Sequence, residues 1–213
     1  MGTGRKLSTS GIYRLALYNR YVSTLDRTRD KYVSSQELAE ATGHTAAQVR
    51  KDLTYYGSLG EPGKGYEIGK LEKLLLRVFG KEEPRNVVLV GVGNLGLALI
   101  SYRGFRLQQF KIIAAFDRDV RKIGKYVEDV PIHDMQDLSS IVTAMGARIA
   151  IVCVPAQSAQ RVIDELVSAG VRAILNFAPS GTLNVPEHVA IQNMDMSIEL
   201  DRLYYLLRDQ VGS

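Results

Sequence analysis

Gly91, Gly93 and Gly96, in the run LVGVGNLGLA, have the spacing with which a chain can wrap the two phosphates of a dinucleotide. Gly91 directly follows the apolar run VVLV, and the residues after Gly96 continue at helical spacing. In that setting Gly91 makes the tight turn, Gly93 lets the backbone approach a pyrophosphate, and Gly96 lets helix and strand pack closely. Val92, Asn94 and Leu95 complete the loop, with the phosphates at the positive end of the helix. The next apolar run ends AAFDRD, which puts Asp117 21 residues beyond Gly96. A carboxylate there accepts hydrogen bonds from the adenosine ribose hydroxyls and repels a 2′-phosphate, so the reading is NAD(H) rather than NADP(H). Arg118 beside it is expected to lie over the adenine or to be solvated.

A bound nicotinamide usually means hydride transfer, which needs a substrate pocket and a general acid or base. Roughly 125 residues follow Asn86, nearly all used by a dinucleotide-binding unit, so no separate substrate domain fits. His133 and His188 lie beside turn residues, in VPIHDM and VPEHVA, and are expected at the surface. The expectation is a cofactor held without a substrate and no catalytic residue. The alternatives are a small NAD-dependent dehydrogenase with a structural basic front, and a nucleotide-binding interaction module without DNA.

The elements that position the glycines begin after a break near FGKEEPRN, residues 79 to 86. Beyond it, strand-like runs VVLV (87–90), KIIAAF (111–116), RIAIVCV (148–154), RAILNF (172–177) and VAIQNM (189–194) alternate with helix-like runs. That alternation predicts a Rossmann-type, doubly wound parallel sheet in an α/β protein. Before the break the chain reads as helices with one short hairpin. The domains expected are 1–83, 84–195 and a final helix over 196–213.

Charge follows the same division. Met1 to Arg85 holds 15 Lys and Arg against 10 Asp and Glu, a balance of +5, whereas Asn86 to Ser213 holds 12 against 13, a balance of −1. A basic front permits a polyanionic partner. Cys153 is the single cysteine and there are three histidines, which excludes an intramolecular disulfide and argues against a structural metal. No apolar run approaches the roughly 20 residues of a membrane span, and Met1 to Ser10 lacks a signal-peptide core, so a cytoplasmic location is expected.

Within the front, YVSSQELAEATGHTAAQVRKDLTYYG reads as a helix-turn-helix. Ser34 with Glu37 and Thr45 with Gln48 have the spacing of two capping boxes, and Gly43 sits at the turn. Ala46, Val49, Leu53 and Tyr56 form an apolar stripe on the second helix, leaving Gln48, Lys51 and Tyr55 opposite, with Arg50 and Thr54 on the flank. Such a helix lies in a major groove with its outer side chains on bases and phosphates. The candidate DNA contacts are Thr45, Ala47, Gln48, Arg50, Lys51 and Tyr55, joined by Lys64 from a hairpin wing in GSLGEPGKGYEI. Arg14 and Arg20, on an upstream amphipathic helix, are each a phosphate contact or an interdomain link.

The motifs QVRKDLTYYGSLG with GKGY, then GVGNLG, SYRGF, AAFDRD, NFAPSGTLNVP and NMDMSIELDRL together resemble the Rex family of redox-sensing transcriptional repressors, from about Ile12 to Arg208. The resemblance implies a winged-helix homodimer that binds palindromic double-stranded operator DNA when NADH is scarce and releases it when NADH, the effector, binds. It implies that the last helix, apolar at Met196, Leu200, Leu203, Tyr204, Leu207 and Val211, is exchanged between subunits. It also implies that Pro155, Asn176, Phe177, Ala178 and Pro179 line the nicotinamide end. Tyr102 would sense the oxidation state there, with Asp195 of the partner subunit as its acceptor and Arg20 as the competing ion-pair partner. The wing departs from the family, whose members commonly carry an arginine at or near the Pro62 position.

Overall fold

The computed structural model describes residues 8–80, 83–179 and 181–211, without the side chains of 209–211. The polar start through Leu7 and the Val211 side chain therefore lie outside the described residues. The chain divides into two compact units, Met1–Glu83 and Pro84–Ser213.

The first unit runs α1 (Thr9–Val22), β1 (Tyr32–Val33), α2 (Ser35–Thr42), α3 (Ala46–Thr54), β2 (Gly60–Glu61), β3 (Gly65–Glu67) and α4 (Ile68–Val78). Three of its helices, α1, α2 and α3, start at side-chain caps, whereas α4 follows Glu67 without one. The Ser34 hydroxyl accepts from the Glu37 amide at 3.0 Å while the Glu37 carboxylate accepts from the Ser34 amide at 2.7 Å, a complete capping box. Gly43 ends α2 in the left-handed region, φ 70°, and turns the chain into α3. The second box is only half made. Thr45 accepts from the Gln48 amide at 3.2 Å, but the Gln48 side chain turns instead to Asp52 at 2.7 Å. Leu15, Tyr18, Val22, Leu38, Val49, Leu53, Leu71 and Leu75 fill one core among the helices, and β1, β3 and β2 form a three-stranded antiparallel sheet.

The second unit runs β4 (Arg85–Val90), α5 (Asn94–Ile100), α6 (Arg103–Leu107), β5 (Phe110–Asp117), β6 (Tyr126–Val127), β7 (Val130–Asp134), α7 (Leu138–Ala144), β8 (Ile149–Val152), α8 (Ala156–Ser168), β9 (Ala173–Asn176), β10 (Ala190–Asn193) and α9 (Met196–Val211). The strands form one seven-stranded sheet in the order β10-β9-β8-β4-β5-β7-β6. All neighbours are parallel except β6 and β7. Without the edge strand β6 this is the doubly wound order, reversing between β4 and β8, and ligands of such sheets bind outside the strand C-termini at that reversal. β4 is buried on both sides: Val88 and Val90 enter one core, and Val87 and Leu89 the other.

The five-strand reading missed β6 and β7. Their segment YVEDVPIHD mixes charge with a proline, and Glu128 takes φ 53° at the turn, so no apolar run marks the hairpin. His133 consequently sits on β7 rather than on a surface turn. Its ring lies 5.7 Å from that of Phe116, and Nε2 is buried without a hydrogen-bond partner among the described residues. His188 is exposed.

Among the described residues of α9 no side chain is buried within this chain. Met196, Ile198, Leu200, Leu203, Tyr204, Tyr205, Leu206 and Leu207 are each between 47 % and 66 % exposed.

Candidate nucleotide site and nucleic-acid interface

The glycine loop is held by contacts that admit no side chain. Gly91 has φ 96°, and a Cβ on it would stand 2.5 Å from the Cys153 carbonyl oxygen. A Cβ on Gly96 would stand 2.1 Å from the Gly91 carbonyl oxygen, so α5 meets the loop backbone to backbone. Gly93 differs: a Cβ there would meet nothing within 4 Å, because its face opens outward, where a pyrophosphate would approach. As N-cap of α5, Gly93 also brings no side chain to occupy the first-turn amides. Val92 is buried, Asn94 exposed and Leu95 half-buried.

Asp117, at the end of β5, ties this loop down. One carboxylate oxygen, Oδ2, accepts from the Val92 amide at 2.8 Å and from Lys122 Nζ at 3.1 Å, and Oδ1 accepts from the Asp119 amide at 2.9 Å. Burial opposes ionisation of this carboxyl. The two amides and the ammonium outweigh it and hold the pKa below the ordinary carboxylate value.

A cleft of about 1040 Å³ opens over the strand reversal, lined by Gly91, Gly93, Asp117, Arg118 and Pro155 among others. Lys122, Gln136 and Arg161 also line it, and no motif announces them. Cys153 lines it too, and burial pushes that thiol up to about 12.

Apart from Pro155, the residues expected at the nicotinamide end and in the switch do not line this cleft. Asn176, fully buried, is spent on structure: its amide nitrogen donates to Asn193 Oδ1 at 2.9 Å and to the Ala178 carbonyl at 3.2 Å, and its Oδ1 accepts from the Ala178 amide. Phe177 is half-buried, Ala178 buried and Pro179 exposed. Tyr102, half exposed, lines a separate small cavity with Phe105, whose ring it meets edge-on at 5.1 Å. Asp195 caps α9, accepting from the Ser197 amide at 2.9 Å and its hydroxyl at 2.6 Å; those two bonds, the hydroxyl's first, hold its pKa low. Arg20 is exposed on the last turn of α1.

On the first unit, Val49 and Leu53 bury the back of α3. Thr45, Ala47, Arg50, Lys51, Thr54 and Tyr55 are exposed, and the Arg50 guanidinium rests on the Ser35 hydroxyl at 2.9 Å. Gln48 is half-buried, its amide bound to Asp52. Arg14 is no phosphate contact here. Its Nε and Nη2 hold Asp52 Oδ2 and Oδ1 at 2.6 and 2.8 Å, and the Tyr18 hydroxyl donates to Oδ2 at 3.0 Å. This half-buried fork bolts α3 onto α1. Burial works against the Asp52 charge, but the bonds from Arg14, Gln48 and Tyr18 keep its pKa below the usual range.

On the wing, Lys64 Nζ lies 3.1 Å from Glu61 Oε2, which also accepts from the Tyr32 hydroxyl at 3.1 Å. Glu61 thus ties back the wing's cation. If the expected DNA contact of Lys64 is made, Glu61→Gln should release that lysine, raising DNA affinity by roughly two- to fivefold and steepening the salt slope by up to about one counterion. Salt-dependent titration of the two proteins checks this.

Fold and sites together define a winged helix-turn-helix unit joined in one chain to a Rossmann unit with a glycine-loop cleft. Residues 6–54 match the family model described as "Putative DNA-binding protein N-terminus", and 82–180 match the CoA binding domain. The chain is 41% identical over 202 residues to the redox-sensing transcriptional repressor Rex of Desulforamulus reducens, covering 95% of this chain and 96% of that protein. It is 42% identical over 205 residues to Rex of Carboxydothermus hydrogenoformans, covering 96% and 98%. Among solved structures, RSP in complex with β-NAD+ and operator DNA matches with a TM-score of 0.89 at 34% identity, covering 97% of this chain and 95% of that one. RSP in complex with β-NADH matches with a TM-score of 0.83 at 33% identity, covering 97% of both chains. The chain belongs to the Rex family of redox-sensing transcriptional repressors.

Among the described residues no helix is long and apolar enough to cross a membrane, and no group of three or more His, Cys, Asp or Glu is placed to hold a metal.

Proposed function

We propose that this protein is a cytoplasmic, non-enzymatic repressor that binds operator DNA as a homodimer and releases it when NADH fills the cleft. The observation that carries the reading is the outward-open Gly93 between two glycines that tolerate no side chain, beneath a cleft at the strand reversal, in a chain whose other unit presents a capped recognition helix. The solved relatives that share this fold bind β-NAD+, β-NADH and operator DNA.

Gly91 to Gly96 would hold the pyrophosphate, Asp117 the adenosine ribose, and Arg118 the adenine side. Pro155 and Asn176 to Pro179 would form the nicotinamide end, the rigid Asn176 clip fixing its floor. The cofactor supplies a ring that is cationic when oxidised and neutral when reduced. Tyr102, Asp195 of the partner subunit and Arg20 convert that difference into posture, Arg20 and Tyr102 competing for the same carboxylate. The exposure of α9 on every side supports its burial in a partner, since water is a poor neighbour for eight large apolar side chains. Two α3 helices in such a dimer read half-sites about 34 Å apart on one face of DNA.

Titrating the operator with NADH and NAD+ varied separately tests the reading. Coupling of about 1–3 kcal/mol per ligand, twice over in a dimer, should loosen the operator strongly with NADH. Unchanged operator affinity at fixed salt would sink it. Turnover of NADH with aldehydes, ketones or 2-oxo acids, followed at 340 nm, would instead support a dehydrogenase. On the interface, Lys51→Ala should cost about 1–3 kcal/mol and relax base preference, whereas Arg50→Ala should mainly lower the salt slope by about one. A neutral Lys51→Ala would place the wrong face of α3 on the DNA.

A further inference from the structure

The ribose end of the cleft contains an ammonium that the dinucleotide reading does not use. Lys122 stands 3.1 Å from Asp117 Oδ2, with side chains 35 % and 10 % exposed, and both residues line the cleft. A carboxylate offers about four lone-pair sites. Here the Val92 amide and Lys122 take two on Oδ2, and the Asp119 amide takes one on Oδ1. One remains, fewer than the two hydroxyls of a ribose require.

We infer that Lys122 sets how strongly this cleft discriminates against a 2′-phosphate, by occupying and neutralising Asp117. The inference rests on reading the cleft as a dinucleotide site. Two effects of Lys122 have the same sign. For an unphosphorylated ribose it competes with the second hydroxyl for Oδ2. For a 2′-phosphorylated ribose it cancels the repelling charge and offers a counter-ion, beside Arg118, which has no ion-pair partner among the described residues. The remaining cation of the cleft, Arg161, is paired with Glu165 at 2.9 Å. Lys122 is therefore a positioning residue acting through Asp117, and its removal should sharpen selectivity for NADH over NADPH.

The test titrates full-length protein with NADH and with NADPH, in wild type and in Lys122→Met, Lys122→Gln and Lys122→Arg, with unfolding curves to verify the fold. Removing the ammonium should widen the ratio of NADPH to NADH dissociation constants by roughly five- to tenfold in both neutral variants. Lys122→Arg, which keeps the charge, should stay near the wild-type ratio. A ratio unchanged or narrowed in folded neutral variants would overturn the inference. Wild type that binds NADH but no NADPH at millimolar concentration would also overturn it, since a neutralised carboxylate should admit the phosphate. Wild type that binds neither would instead remove the dinucleotide reading itself.

Discussion

Gly96→Ala should abolish the response to NADH while leaving the operator bound. The added Cβ would sit 2.1 Å from the Gly91 carbonyl oxygen and 3.3 Å from Leu89 Cδ2, so α5 must back away from the loop. Neither neighbour yields cheaply: the carbonyl is main chain, and Leu89 is fully buried. Overpacking of this kind costs about 1–3 kcal/mol in stability. The greater loss is in the site, because moving the start of α5 withdraws its first-turn amides from the pyrophosphate. A loss of roughly a hundredfold in NADH affinity, about 3 kcal/mol, is expected. The first unit has its own core and should still bind DNA, so a gel shift would show a complex that NADH no longer dissolves. A variant that bound NADH like wild type would mean the cleft is not the site.

Asp52→Ala should unfold the first unit at temperatures where wild type is intact. The substitution strands the Arg14 guanidinium, whose side chain is only 16 % exposed, and the hydroxyl of fully buried Tyr18. Asp52 is buried and Arg14 half-buried, so removing the carboxylate should cost about 2–3 kcal/mol, chiefly through the charge left behind. The double variant Arg14→Met/Asp52→Ala should recover part of that loss, which a thermal melt would show as non-additivity. pH carries the same information. Because Asp52 is held below the ordinary carboxylate value in the folded chain, its stabilisation is present above about pH 4 and disappears as acidity carries it through the folded pKa. Asp52→Asn should lose that part of the acid sensitivity.

What could be read from sequence is local. The glycine loop and the Ser34–Glu37 box are short patterns whose meaning depends on a few neighbouring residues, and the structure builds their local geometry as the spacing says; Asp117 stands at the end of β5 as read, but with its carboxylate bonded to the Val92 and Asp119 amides and to Lys122. The β6–β7 hairpin escaped because Pro131 and the surrounding acids mask a strand that pairing, not propensity, creates. The Arg14–Asp52 fork joins residues 38 apart, and no periodicity reveals it. It also explains Gln48: a side chain at cap spacing had a charged acceptor four residues on and took it. Lys122 was hidden for a related reason. Five residues after Asp117 it follows no motif, and only the turn after β5 folds its ammonium back onto the carboxylate.

Cys153 adds a consequence of its own. Desolvation keeps this sulfur protonated at any cellular pH, and the thiolate is the form that peroxides attack. In that form the sulfur is a weak nucleophile, so Cys153 serves the wall of the cleft as a small apolar group, with its backbone carbonyl packed against Gly91.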